Sequence, residues 1–160
     1  MKKMERKANA NKGFSLVELI VVVAIMAVLI GILAPQYLRY VEKSRLQKDN
    51  SAISEVANAI KIAMADESIN ASIVYSGAGA NNKITLAGAA GADKTVTFDT
   101  SALQAELNKT VGATVKTASS SYKKSADAIV LTITDTDGVI SVSATGWIEK
   151  PGDATTTKNF

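Results

Sequence analysis

Chemistry in this chain is concentrated in its first 35 residues. Between Phe14 and Ala34 only Ser15 and Glu18 are polar. An ionised carboxylate at the centre of a bilayer costs about 2.5–3.5 kcal/mol or more, and nearer the interface it still needs a partner. Glu18 therefore implies an opposite charge. Elsewhere the reactive inventory is thin. The chain has no histidine and no cysteine, which removes the commonest general base, the thiol nucleophile and the usual soft metal ligands. The many serines and threonines lack an activating partner, and no glycine-rich phosphate loop with its lysine occurs, so enzymatic activity is not expected. No cofactor or metal is implied. Asp135 and Asp137 in "DTDG" could offer oxygens to calcium, but the spaced ligand set is missing, and Asp-Gly is an ordinary tight-turn pair. Asn70 and Asn108 head glycosylation-type tripeptides that occur often by chance.

The element that carries Glu18 is a span. Residues 14–34, at about 1.5 Å each, make a helix of roughly 31 Å, matching a hydrocarbon core of about 30 Å. Lys2, Lys3, Arg6, Lys7 and Lys12, offset by Glu5, place +4 ahead of it, which leaves −1 for everything after Gly13 because the whole chain carries +3. The positive-inside rule sets Met1 in the cytoplasm and the segment after Pro35 outside. The same asymmetry argues against direct nucleic-acid binding by the rest of the chain. A cleaved secretory signal fits poorly, because bulky Ile32 stands where a small residue is wanted and Pro35 follows the cut. Pro35 removes a backbone donor and its ring meets the carbonyl of Gly31, so this pair predicts a kink, or a place where the helix loses its regular bonding.

"KGFSLVELIVVVAIMAVLIGILAP" resembles the amino-terminal signature of bacterial type IV pilins and their pseudopilin relatives: a short basic leader ending in glycine, an aromatic, a glutamate four residues on, then a long apolar helix. The likeness covers about residues 1–65. It implies that a prepilin peptidase removes the leader 1–13 by cutting between Gly13 and Phe14, and that the new amine of Phe14 is N-methylated. It further implies that Glu18 meets the Phe14 nitrogen of a neighbouring subunit during assembly. The implied partners are copies of the same chain in a helical filament, the peptidase, an assembly platform with its ATPases, minor pilins, and the cytoplasmic membrane before assembly. The implied product is an extracellular pilus serving adhesion, twitching motility or DNA uptake. One departure is the missing carboxy-terminal disulfide loop of many Gram-negative pilins, which leans toward a Gram-positive source.

Beyond the 14–35 segment, residues 36–160 read as the head. Ala52, Ile53, Val56, Ile60, Ala63 and Met64 define an apolar stripe, so a helix continuing from Phe14 to about Ala65 supplies the spine for a sheet. The charges Arg39, Glu42, Lys43, Arg45, Lys48, Asp49 and Glu55 read as a solvated face, with bridges between subunits as the alternative for some of them. Ser76 to Lys94 reads as a long loop with a short strand at "KITL", and "FDTSALQAELNKTVG" as a short helix capped by Asp99, Thr100 or Ser101 and ended by Gly112. "DAIVLTIT" and "VISVSA" form a hairpin across "DTDG". With strands near "GATVKTA" and at "GWIE" the sheet reaches about four strands, and "KPGDATTTKNF" is left as a polar tail with little to bury. The expected class is α+β, a long amino-terminal helix packed by its second half on a small antiparallel sheet. Two other readings remain: a pseudopilin of a type II secretion or competence machine, and an anchored binding domain that never polymerises.

Overall fold

A computed structural model describes residues 13–75, 80–89, 92–98, 101–125 and 127–160. Residues 1–12 of the expected leader, part of the expected long loop (76–79, 90 and 91) and the expected cap residues Asp99 and Thr100 lie outside the described residues. The elements in chain order are α1 (Leu16–Ala63), α2 (Glu67–Asn70), β1 (Lys83–Ala87), β2 (Lys94–Phe98), α3 (Ser101–Thr110), β3 (Thr114–Val115), α4 (Ser120–Lys124), β4 (Ile129–Thr136), β5 (Val139–Trp147) and β6 (Thr156–Asn159). The chain divides into two units, Met1–Arg39 and Tyr40–Phe160. Within the first unit every described side chain of α1 is exposed, although the segment is almost wholly apolar. By length and composition this part of α1 could cross a membrane.

In the second unit α1 changes character. Leu46, Ile53, Val56, Ala57, Ala59, Ile60 and Ala63 are buried, at the three- and four-residue steps that put side chains on one helical face. The expected stripe holds and widens. Opposite it, alternate strand residues Ile84, Leu86, Val96, Ile129, Leu131, Ile133, Val142 and Ala144 are buried in the same core cluster. The sheet runs β3-β2-β1-β4-β5-β6, with every neighbouring pair antiparallel. Its register places Leu86 between Val96 and Ile129, and Ile84 between Phe98 and Leu131.

The sheet has six strands rather than about four. "KTVTF" is β2, alternating buried and exposed residues directly after the expected loop. "GWIE" is no separate strand, since Gly146 and Trp147 end β5. Gly146 sits at φ +88°, where an added Cβ would lie 2.7 Å from the Ala128 carbonyl oxygen. That glycine lets β5 run close past the start of β4, with a bulge between Thr145 and Trp147. The tail also pairs, because β6 borders β5 and Phe160 meets Trp147 edge to face, ring centres 5.6 Å apart. Polar side chains do not prevent an edge strand, whose stability comes from main-chain pairing and one aromatic anchor. The hairpin turns at Asp137-Gly138, both at positive φ, as a two-residue turn requires. Gly112, at φ +84°, follows α3 as expected, its N–H reaching back to the Leu107 carbonyl at 3.4 Å.

Two of the carboxylates expected on a solvated face instead fasten α1 to the start of α4 and the loop before it. Asp49, 1% exposed, accepts from the Ala118 N–H at 2.8 Å and the Ser119 N–H at 2.8 Å. Seven residues earlier on the same helical face, Glu42 accepts from the N–H of Ser120 at 2.6 Å and of Ser121 at 3.1 Å, and from the Ser120 hydroxyl at 2.7 Å. Partial burial pushes the Glu42 carboxyl up, but the hydrogen bonds from Ser120 and Ser121, helped by the Arg45 charge, leave it below its ordinary 4.5. Beside this clasp a closed ring of bonds joins α1, α4 and the end of β5. Asn50 Nδ2 donates to the Ile148 carbonyl at 2.9 Å, the Ile148 N–H donates to Tyr122 Oη at 3.0 Å, and that hydroxyl donates to Asn50 Oδ1 at 2.7 Å.

Removing the Tyr122 hydroxyl strands the buried Ile148 N–H, so Tyr122→Phe should destabilise the protein by about 1–3 kcal/mol in chemical denaturation. Burial, aided by the Asp49 charge and only partly opposed by the Ile148 N–H, pushes the Tyr122 phenol up to about 12 from 10. The unfolded phenol ionises first, so this contribution is complete below pH 10 and is lost as pH climbs toward 12. An alkaline titration of stability should show that loss in the wild type and lack it in Tyr122→Phe.

Candidate assembly site

The site begins at an exposed Gly13, where a side chain would find nothing within 4 Å. Phe14 follows with 88% of its surface exposed. Ser15 is the residue before α1, and its hydroxyl oxygen accepts from the Val17 N–H at 3.3 Å. Glu18 reaches back in return, its Oε2 accepting from the Ser15 N–H at 3.0 Å. Together they form a capping box, in which the serine before a helix and the acid three residues on satisfy amides that have no partner inside the helix. The spacing "SLVE" carries this signal in the sequence, and reading Glu18 only as a charge needing a cation misses Ser15.

The geometry answers half of the electrostatic question. In the single chain Glu18 is held by its own helix start, where the helix dipole favours a negative charge. The bond to Ser15 uses Oε2, and a carboxylate has a second oxygen that can accept from an ammonium group. Glu18 and Phe14 lie on the same short segment at the start of the apolar run, whose large side chains from Leu16 to Leu33 are all exposed. Gly31 and Pro35 lie inside α1, which continues through both, and an added Cβ at Gly31 would meet nothing within 4 Å. Among the described residues no group of three or more acidic side chains is placed to hold a metal ion.

Comparison with known proteins bears on the same residues. The family described as "Prokaryotic N-terminal methylation motif" matches residues 8–34, which include Gly13, Phe14, Ser15, Glu18 and Gly31. "Prepilin peptidase-dependent protein A" of Clostridium perfringens is 29% identical over 69 residues, 43% of this chain and 49% of that protein. "Type IV major fimbrial protein FimA" of Dichelobacter nodosus is 36% identical over 58 residues, 36% of this chain and 37% of that protein. The chain thus spans about half or less of the length of these relatives. No solved structure gives a significant match. At its amino terminus the chain is thus similar to a type IV fimbrial protein and a prepilin peptidase-dependent protein, and the likeness falls on the methylation motif and the apolar helix that it opens.

Proposed function

We propose that this chain is the precursor of a major type IV pilus subunit, stored in the cytoplasmic membrane, cut after Gly13 and polymerised into a surface filament. The observation that carries the reading is Glu18, four residues after Phe14, at the start of an exposed apolar helix inside the matched methylation motif. Gly13 gives a peptidase close access to the backbone, because no side chain stands in the way. Cutting there turns the amide nitrogen of Phe14 into a cationic amine, which N-methylation leaves basic.

While the subunit waits in lipid, Glu18 is satisfied by the Ser15 N–H. In the filament the Phe14 amine of a neighbouring copy supplies the opposite charge. A charge-assisted bond of this kind is about twice as strong as a neutral one and fixes the register of the incoming helix. The exposed apolar surface then passes from lipid to packing against like helices, and Gly31 with Pro35 marks where α1 can give up regular bonding to fit. Energy for assembly comes from partner ATPases at the platform, and minor pilins share the fibre. The leader stays in the cytoplasm and the head outside.

Mass spectrometry of filaments sheared from producing cells should find subunits that begin at N-methylated Phe14, and Gly13→Leu should leave uncut precursor in the membrane with no filaments. An intact leader on surface filaments would refute the processing step. The capping box has its own signature. In detergent, Glu18→Ala should speed hydrogen exchange at the Ser15 amide about 2- to 30-fold, the range expected for losing a helix cap, and unchanged exchange would mean that Glu18 does not hold this amide.

A further inference from the structure

Four cationic side chains, Arg45 and Lys48 of α1 with Lys116 and Lys123, line a concavity of about 490 Å³ on the head. Asp93 is its one carboxylate, and Asp93 Oδ1 is already engaged by the Thr117 N–H at 3.1 Å. The lining carries a net +3. Residues after Gly13 sum to −1, so the remainder of that part of the chain holds −4. None of the four cations has an ion-pair partner among the described residues, where the one ion pair joins Lys109 to Glu106. Such a concentration of charge attracts an anionic group to a defined place.

The strand register locates an acidic counterpart on the same molecule. Lys94 pairs with Val115, and Leu86 pairs with both Val96 and Ile129, so Asp93 and Lys116 lie at the end of the sheet where β4 begins. The β4–β5 turn lies at the opposite end, eight residues along the strand from Ile129, or about 25 Å at strand spacing. Residues 134–139 are all exposed there. Asp135 and Asp137 make the tip acidic, and a hydrogen bond from the Gly138 N–H to Asp135 Oδ1, 2.9 Å, stiffens it. A narrow acidic knob and a basic hollow thus occupy opposite ends of one sheet.

We propose that the Asp135–Asp137 tip of one copy seats in the Arg45, Lys48, Lys116 and Lys123 concavity of another, a head-to-tail contact between subunits. The proposal rests on the filament reading above and names a contact within it. Knob and hollow are different surfaces at opposite ends, so the pairing is heterologous and propagates along a chain of copies instead of closing a two-fold dimer. Its charges select register and partner more than they add affinity.

Charge reversal in full-length subunits in producing cells tests the contact. Asp135→Lys with Asp137→Lys, or Lys48→Glu with Lys116→Glu, should each lower the yield of sheared filaments by about tenfold or more, since like charges then face each other, while cut subunit still accumulates in the membrane. Combining both reversals in one chain should restore filaments. Unchanged yield in the two separate reversals overturns the contact, and so does equal loss in all three variants. If separate reversal of the hollow spares assembly but abolishes filament binding to heparin, the hollow serves a soluble polyanion and the contact is likewise overturned.

Because the chain has no cysteine, Lys116→Cys and Asp137→Cys in one chain add the only two thiols. A short bismaleimide applied to their filaments should give a ladder of covalent multimers. The two single variants mixed should stop at dimers. Filaments formed at wild-type yield without crosslinks would overturn the contact. Absence of filaments from wild-type cells would instead overturn the filament reading on which it stands.

Discussion

The structure depends on a mismatch of solvents along α1. Leu16, Val17, Leu19, Ile20 and the apolar residues that follow to Leu33 are exposed, and each buried methylene is worth about 0.8 kcal/mol when removed from water. This surface has to lie against lipid or against other apolar helices, and a subunit that moves from one to the other needs no new fold. In the filament proposed above, Glu18 is the exception that gives the exchange direction. Its carboxylate is satisfied by the Ser15 amide in the isolated chain, and only a further cation improves on that arrangement. On the proposed reading, an uncharged residue at that position leaves neighbouring helices without a fixed register.

The head solves a different problem with the same helix. Past Tyr40, α1 trades uniform apolarity for a stripe that meets the sheet through Ile53, Val56 and Ile60, all buried. The stripe alone would fix burial but little about orientation. Asp49 and Glu42 add that, because each accepts backbone N–H groups from residues 118–121 at bond lengths of 2.6–3.1 Å. Ring closure through Asn50, Tyr122 and Ile148 then ties the same stretch of helix to the end of β5. Buried Lys94 fastens the next loop in the same manner, its ammonium donating to the Ser125 carbonyl at 3.1 Å. These bonds occupy groups that would be costly to bury unpaired.

What could be read directly from the residues follows from local periodicity. The 21-residue apolar run, the α1 stripe, the "DTDG" turn and the alternation of Ile129, Leu131 and Ile133 each announce their conformation within a few neighbours. Gly112, at positive φ, marks the end of α3 in the same local way. Features set by distant residues have no such local signal. Asp49 looks like a surface charge until residues 118 and 119, about seventy positions away, bring amides to it. β6 has no apolar signal, and its pairing with β5 depends on the Pro151-Gly152 turn and on Phe160 finding Trp147. β2 was hidden by the alanine- and glycine-rich stretch before it, although "TVTF" alternates. At the amino terminus the roles proposed for Gly13, Phe14 and Glu18 rest on family likeness, whereas the cap made by Ser15 is announced by the four letters "SLVE".

The central claim is that Glu18 acts in assembly through its charge. Cells producing wild-type and Glu18→Gln subunits together provide the direct test, because the glutamine keeps shape and hydrogen-bonding capacity and inserts in lipid at least as readily. The ratio of the two cut subunits is measured in the membrane and in filaments sheared from the same cells. The account predicts that the variant is cut normally and is strongly under-represented in filaments. Equal ratios in membrane and filament would contradict it and reduce Glu18 to the cap of its own helix.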